Sequence, residues 1–171
     1  DNGKRLPEDG KNIGNLYIRG NTIAGGYYNN EEASKAAIDD EGYFGTGDVA
    51  SIDEQGFLRL TDRAKDLIKS GGEWISSIDL ENRAKSHPDV ENFAVIAIPH
   101  EKWDERPLLV VVPAEGKKPS KEELIKHLEG HFAKWQMPDD VVYEDELPLT
   151  ATGKVSKLTL RQKYENYTLA S

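Results

Sequence analysis

The chain has 171 residues, 37% hydrophobic and 31% charged, with a mean hydropathy of -0.67, enough to bury a core in one domain or two small ones and unlike a disordered tail. A net charge of -9 and a pI near 5.0 argue against a nucleic-acid backbone binder, which needs a basic face, so small anions must be held locally. The absence of cysteine excludes disulfides, thiolate catalysis and cysteine-ligated metals and fits a reducing compartment, while apolar runs such as Phe93-Ala94-Val95-Ile96-Ala97-Ile98 fall far short of the roughly 20 residues a membrane span needs.

The opening Asp1-Asn2-Gly3-Lys4-Arg5 has neither a signal-peptide core nor an initiating Met, so the chain is expected to be a piece of something longer. Residues 1–62 are rich in Gly and Asn, with short apolar alternations at Leu16-Tyr17-Ile18 and Phe57-Leu58-Arg59-Leu60 that predict strands between turns. A short helix is expected from Glu31 to Ile38, capped by Asn29 or Asn30, bearing Ala33, Ala36 and Ala37, and ended by Gly42. From Arg63 the pattern changes to longer helices and fully apolar strands, placing a boundary near residues 62–66 and giving units 1–62 and 63–171.

In the second unit, Ser76 or Ser77 can cap a helix running to about Ser86, which His87-Pro88 stops. Phe93 to Ile98 and Leu108 to Val112 then read as buried strands. Ser120 with Glu123 forms a capping box, in which each side chain satisfies an orphan backbone donor, ahead of an apolar stripe of Leu124, Ile125, Leu128 and Phe132. Ser156 starts a last helix with Leu160, Tyr164 and Tyr167 on one face. The fold class expected is α+β: a small mixed α/β carboxy-terminal domain, a short sheet flanked by helices, preceded by a β-rich segment.

Three segments combine Gly with charge. In Gly42-Tyr43-Phe44-Gly45-Thr46-Gly47-Asp48, glycines let the backbone turn and Asp48 offers the two acceptor oxygens a ribose diol requires; an Asp-containing β-turn suits the same residues. Asp62-Arg63-Ala64-Lys65-Asp66-Leu67-Ile68-Lys69-Ser70-Gly71-Gly72-Glu73-Trp74-Ile75-Ser76 joins a charged linker to a two-residue hairpin loop, Gly71-Gly72, that a ligand chain can approach closely, with Trp74 as a flat wall; Trp74 also suits a core position. In Leu147-Pro148-Leu149-Thr150-Ala151-Thr152-Gly153-Lys154-Val155-Ser156-Lys157, Lys154 carries an ammonium on a flexible stem that can bridge a carboxylate and a phosphate, or be solvated. The phosphate-cradling G-x-x-x-x-G-K-[ST] pattern is absent.

In this order the three segments resemble the adenylate-forming, AMP-forming acyl-CoA synthetase superfamily. The stretch Lys65 to Ser76, with Pro99-His100-Glu101-Lys102-Trp103-Asp104-Glu105-Arg106-Pro107, resembles its fatty acyl-CoA ligase branch. The resemblance implies that residues 1–62 end a large amino-terminal domain and residues 63–171 form a mobile carboxy-terminal domain. It further implies that Asp48 holds the ribose hydroxyls, Arg63 assists, Lys65 is the hinge and also lies by the nucleotide, and Lys69 reaches the phosphate. Lys154 would be the catalytic lysine of adenylation, Gly71 and Gly72 would line the pantetheine tunnel, and Trp74 would border the acyl or nucleotide pocket. The substrates implied are a fatty or related acid, ATP (leaving as AMP) and coenzyme A, with Mg ligated mainly outside this chain and no metal site within it. A cytoplasmic setting is implied, with no nucleic acid, no membrane span and room for homo-oligomers of the whole enzyme. Two departures stand out: Gly45 occupies a position where fatty acyl members often carry a larger, basic residue, and the Ser/Thr/Gly-rich phosphate loop and acid pocket are missing. The chain alone is therefore expected to be inactive. Other adenylating enzymes, such as an aryl-acid ligase or a carrier-loading adenylation domain, and a noncatalytic partner- or nucleotide-binding module, remain open.

Overall fold

The computed structural model describes residues 3–169, so Asp1 and Asn2 of the opening segment lie outside the described residues. The chain passes from one compact unit to a second between Lys65 and Asp66. The first unit is an antiparallel sheet in the order β1 (Gly14–Ile18), β2 (Phe44–Ile52), β3 (Leu58–Arg63), with α1 (Glu31–Ala37) between β1 and β2. Asn30 caps α1 by accepting from the Ala33 amide at 3.0 Å, and Glu31 and Glu32 sit where the helix dipole favours negative charge.

Two expectations change in this unit. Gly42 does not end α1: Ile38 is already extended and bridges to Phe44, and Gly42 lies in the following turn, its amide donating to the Asp39 carbonyl. Phe44 to Asp48 is not a β-turn but the first half of β2, because Tyr17 and Ile18 offer a paired edge that local composition does not reveal.

The second unit is a five-stranded sheet built around β7 (Asp104–Pro113). β6 (Val90–His100) pairs with it antiparallel along its length. Its other edge takes β4 (Ile68–Ser70) at Asp104 and then β8 (Asp140–Tyr143), the latter parallel, while β5 (Glu73–Ile75) closes a hairpin with β4. Side chains alternate across a strand, so one uninterrupted apolar run feeds two cores. Val95, Leu109 and Val111 join Ile68, Ile75, Leu80, Leu124, Leu128 and Val141 on one face. Ala94, Ile96, Ile98, Leu108, Val110 and Val112 join Leu147 and Leu160 on the other.

The helices cover these faces. α2 (Ser77–Ala84), capped by Ser76, and α3 (Lys121–Leu128), held by the capping box, supply Leu80, Leu124 and Leu128 to the first core. In the box, the Glu123 amide donates to Ser120 Oγ at 3.2 Å and the Ser120 amide to Glu123 Oε2 at 2.8 Å. α2 ends two residues earlier than its stop signal suggests, with Lys85 as its cap. Phe132 lies beyond α3, which stops where Glu129 turns extended, yet it packs on the same core. A 3₁₀ turn, Lys134–Gln136, leads to β8. α4 (Lys157–Lys163), capped by Ser156, lays Leu160 on the second core, while Tyr164 and Tyr167 follow its last turn and pack there edge to face, 5.8 Å apart.

The tyrosines are tethered to acids. Tyr164 Oη donates to Glu144, which also receives Lys163 at 2.5 Å. Tyr167 Oη donates to Asp140 Oδ2 at 2.7 Å, and Lys121 pairs with the same carboxylate. Burial pushes the Glu144 and Asp140 carboxyls up, but these hydrogen bonds and charges outweigh it and hold both below their ordinary values. Burial, then the hydrogen bond to Asp140, pushes the Tyr167 phenol up to about 12. Both acids have folded values below their unfolded ones. The stability they add is therefore complete above the unfolded values of 4.5 and 3.8 and lost as pH falls through the lower, folded ones. Chemical unfolding between pH 7 and pH 3 should show stability falling below about pH 4.5, and Glu144→Gln should flatten part of that fall. An unchanged pH slope in the variant would contradict this.

Candidate functional site

In the first unit, Asp48 on β2 stands directly across from Arg63 on β3. Arg63 Nη1 donates to Asp48 Oδ1 at 2.7 Å, and Oδ2 takes no partner among the described residues. The Asp48 amide is itself held, donating to Thr46 Oγ1 at 3.0 Å, and Thr46 is anchored to the Leu16 carbonyl. The carboxylate is thus presented on a paired strand with one acceptor oxygen uncommitted. Gly45 lies under the Tyr17 ring, where an added Cβ would sit 3.1 Å from Cε1. A larger residue there has little room, while Asp48, three residues on, is unaffected. Lys65 is exposed and is the last residue of the first unit.

In the second unit, Gly71 and Gly72 form the two-residue loop joining β4 to β5, with φ of +59° and +89°. Two successive positive φ values define a type I′ turn, whose twist matches that of the strands it joins and which L side chains resist. Trp103 lies over this loop: its carbonyl accepts from the Gly71 amide at 2.9 Å, and a Cβ on Gly71 would meet its ring at 2.8 Å. A Cβ on Gly72 would meet nothing within 4 Å, so a slender chain can pass that backbone. Lys69 and Trp74 face each other across the hairpin and therefore share a face, both exposed, Trp74 by 43%. Trp74 is not the core aromatic that composition also allowed; Ile75 and Ile68 point into the core instead.

The loop at Lys154 is a tight turn. Leu149 bridges to Val155, the Thr150 amide donates to the Lys154 carbonyl at 2.7 Å, and the Lys154 amide donates to Thr150 Oγ1 at 3.2 Å. Its backbone is fixed, its side chain is exposed, and its ammonium has no partner among the described residues. The structure therefore gathers Lys69, Gly71, Gly72 and Trp74 on one hairpin, pairs Asp48 with Arg63, and presents Lys154 on a separate loop.

One functional support was missed in the sequence. Arg106, buried in β7, donates to Asp139 at 2.6 and 2.7 Å, to Ser70 Oγ at 2.9 Å, and to the Trp135 and Met137 carbonyls at 2.6 and 3.0 Å. A planar guanidinium can saturate five such acceptors at once. Beside it, Glu105 accepts from the Lys69 amide at 2.8 Å. Two adjacent residues of the Asp104-Glu105-Arg106 run thus hold β4 in place behind the hairpin; only the clustering of charge before an apolar strand hinted at this. Among the described residues no group of three or more His, Asp or Glu side chains could hold a metal ion, and no helix is long and apolar enough to cross a membrane.

An exposed lysine at a tight turn and a glycine hairpin on one small α/β unit can be compared with known proteins. Residues 79–154 match the family described as AMP-binding enzyme C-terminal domain. The matched stretch ends on Lys154 itself. Over 168 residues, 98% of the chain, the sequence is 54% identical to a long-chain-fatty-acid–CoA ligase of Thermus thermophilus, and over 166 residues, 97%, it is 50% identical to a 3-methylmercaptopropionyl-CoA ligase of Ruegeria pomeroyi. It covers 31% and 30% of those proteins, so the chain spans about a third of their length. The fold is also that of ATP-bound MatB from Rhodopseudomonas palustris, with a TM-score of 0.85 at 34% identity over 97% of this chain and 33% of that one. The likeness to these relatives thus continues through the first unit.

The hairpin geometry gives a direct test. Gly71→Ala should destabilise the domain by about 1–3 kcal/mol, because it adds both the positive-φ penalty and the collision with Trp103, whereas Gly72→Ala should cost only about 1 kcal/mol. Urea unfolding measures both, and a larger loss at Gly72 would contradict the geometry.

Proposed function

We propose that the chain is the carboxy-terminal part of an ATP-dependent, AMP-forming ligase that joins a fatty or related acid to coenzyme A. The observation that carries this reading is that one domain fixes two loops of unlike chemistry: an exposed ammonium at Lys154 with no partner among the described residues, and a glycine turn at Gly71 and Gly72 whose backbone is open at Gly72. The first suits a step that gathers negative charge. The second suits a step that threads a narrow thiol arm.

In the first half-reaction a carboxylate oxygen attacks the α-phosphorus of ATP, and the bond to pyrophosphate breaks. Lys154 would bridge the carboxylate and the phosphate, offsetting charge where the mixed anhydride forms. Asp48 would accept from the ribose hydroxyls through its uncommitted oxygen, with Arg63 holding the carboxylate in place. In the second half-reaction the coenzyme A thiol loses its proton and attacks the acyl carbonyl, and AMP departs with the bridging oxygen. Gly71 and Gly72 would admit the pantetheine arm, with Trp74 as a wall and Lys69 near the phosphate. Rotation at Lys65 would bring each loop into use in turn, with the unit that ends at Lys65 closing the large domain and the unit from Asp66 moving. Any Mg ion accompanying ATP would be held mainly by residues outside this chain. A fatty acid is preferred as substrate because the Thermus thermophilus relative is a long-chain-fatty-acid–CoA ligase, and a chain without cysteine is compatible with a cytoplasmic setting.

The test uses the whole enzyme. Lys154→Ala should lower acid-dependent exchange of pyrophosphate into ATP by about 100-fold or more, and the wild type should consume coenzyme A in preference to a pantetheinylated carrier protein. Unaltered exchange in the variant would remove the proposed role of Lys154. Consumption of the carrier alone would make the enzyme a carrier-loading adenylation domain.

A further inference from the structure

α4 carries two mostly buried cations one turn apart, on either side of Leu160. Lys157 Nζ lies 2.6 Å from Ser77 Oγ and 2.8 Å from Glu81 Oε1, with its side chain 13% exposed. Glu81 Oε1 in turn accepts from the Val95 amide at 2.9 Å, inside β6. Arg161 Nη1 lies 2.5 Å from Asp66 Oδ1, with side chains 22% and 15% exposed. Asp66 is the first residue of the second unit, directly after Lys65.

Buried ion pairs add little net stability over apolar residues of the same size, because desolvation offsets their attraction, but they are directional and costly to break on one side. Leu160 is the only fully buried residue of α4. Lys163 and Tyr164 hold the far end of α4 through Glu144, and Tyr164 packs on the same core. The two cations hold its earlier turns, and three residues before Lys157 stands Lys154, in a loop whose backbone bonds leave it little freedom relative to the start of α4.

On the reading proposed above, we infer that Lys157 and Arg161 are positioning residues: a strut that ties the Lys154 loop to the hinge-side residue Asp66, so that Lys154 travels with the hinge as a rigid attachment. The hairpin at Gly71 and Gly72 needs no such strut. It leaves Asp66 through β4, whose Ile68 is fully buried, and its base is held by Glu105 and Arg106. Loss of the Asp66–Arg161 link should therefore harm the step that uses Lys154 and spare the step that uses the hairpin, which a general loss of structure would not do.

The experiment measures the two half-reactions separately in the whole enzyme: pyrophosphate exchange for adenylation, and thioester formation from supplied acyl-adenylate. Arg161→Gln should lower the first about tenfold and the second by less than about twofold, since small misplacement of a reacting group costs rate steeply. Asp66→Arg combined with Arg161→Asp should restore exchange to within about threefold of wild type. Should Arg161→Gln fail to fold, Arg161→Lys, which keeps the charge but loses the planar fork, carries the same comparison. Equal losses in both half-reactions, unchanged exchange, or no recovery in the reversed pair would overturn the strut while leaving the proposed function intact. A wild-type enzyme that forms no adenylate from any acid would overturn the proposed function, and the strut's role with it.

Discussion

The second unit depends on one ladder, the antiparallel pairing of β6 with β7 from Val90 opposite Pro113 to His100 opposite Asp104. Its run of apolar residues divides by parity between two cores, with Val95, Leu109 and Val111 facing α2 and α3, and Ile96, Leu108 and Val110 facing Leu147 and α4. Both faces of β7 are thereby closed to water, which is why its side chains from Arg106 to Val112 are buried.

The end at Asp104 bears the hairpin. β4 meets β7 there through Ser70, and the Arg106 guanidinium closes the gap between β4, the 3₁₀ turn and the start of β8. An arginine in this place must satisfy every donor, because a buried charge without partners costs several kcal/mol. Its acceptors lie on segments far apart in sequence, so the same requirement that pays the cost of burial also fixes a turn that backbone bonding alone holds weakly. The Lys154 loop is fixed by other means: its own hydrogen bonds and the cations of α4. Two loops secured independently to one rigid sheet are suited to serving two steps in alternation.

Much of this was legible from local sequence. The Ser120 and Glu123 box, the Ser76 and Ser156 caps and the Gly71-Gly72 turn each depend on residues within a few positions of one another, and each stands where its residues imply. What escaped depends on distant partners. β2 reaches back through Gly47 to Gly45 because β1 pairs with Gly45 on one side of it and with Val49 and Ala50 on the other, although glycine locally argues for a loop. β8 is four residues among acids and is a strand only because β7, some thirty residues earlier, offers a parallel edge. The roles proposed for Asp48 and Lys154 rest on resemblance to a family; the geometry adds that one Asp48 oxygen and the Lys154 ammonium take no partner among the described residues. Arg106 reads in sequence as one charge among several, and its function as a brace exists only in the folded chain.

The central claim is that one domain serves two half-reactions with two separate loops. Its most direct measurement is made with Gly72→Leu in the whole enzyme, following both half-reactions. A side chain at Gly72 projects into space where nothing lies within 4 Å, so thioester formation should fall by about 100-fold or more while acid-dependent pyrophosphate exchange stays near wild type. Loss of exchange with thioester formation retained would contradict the claim.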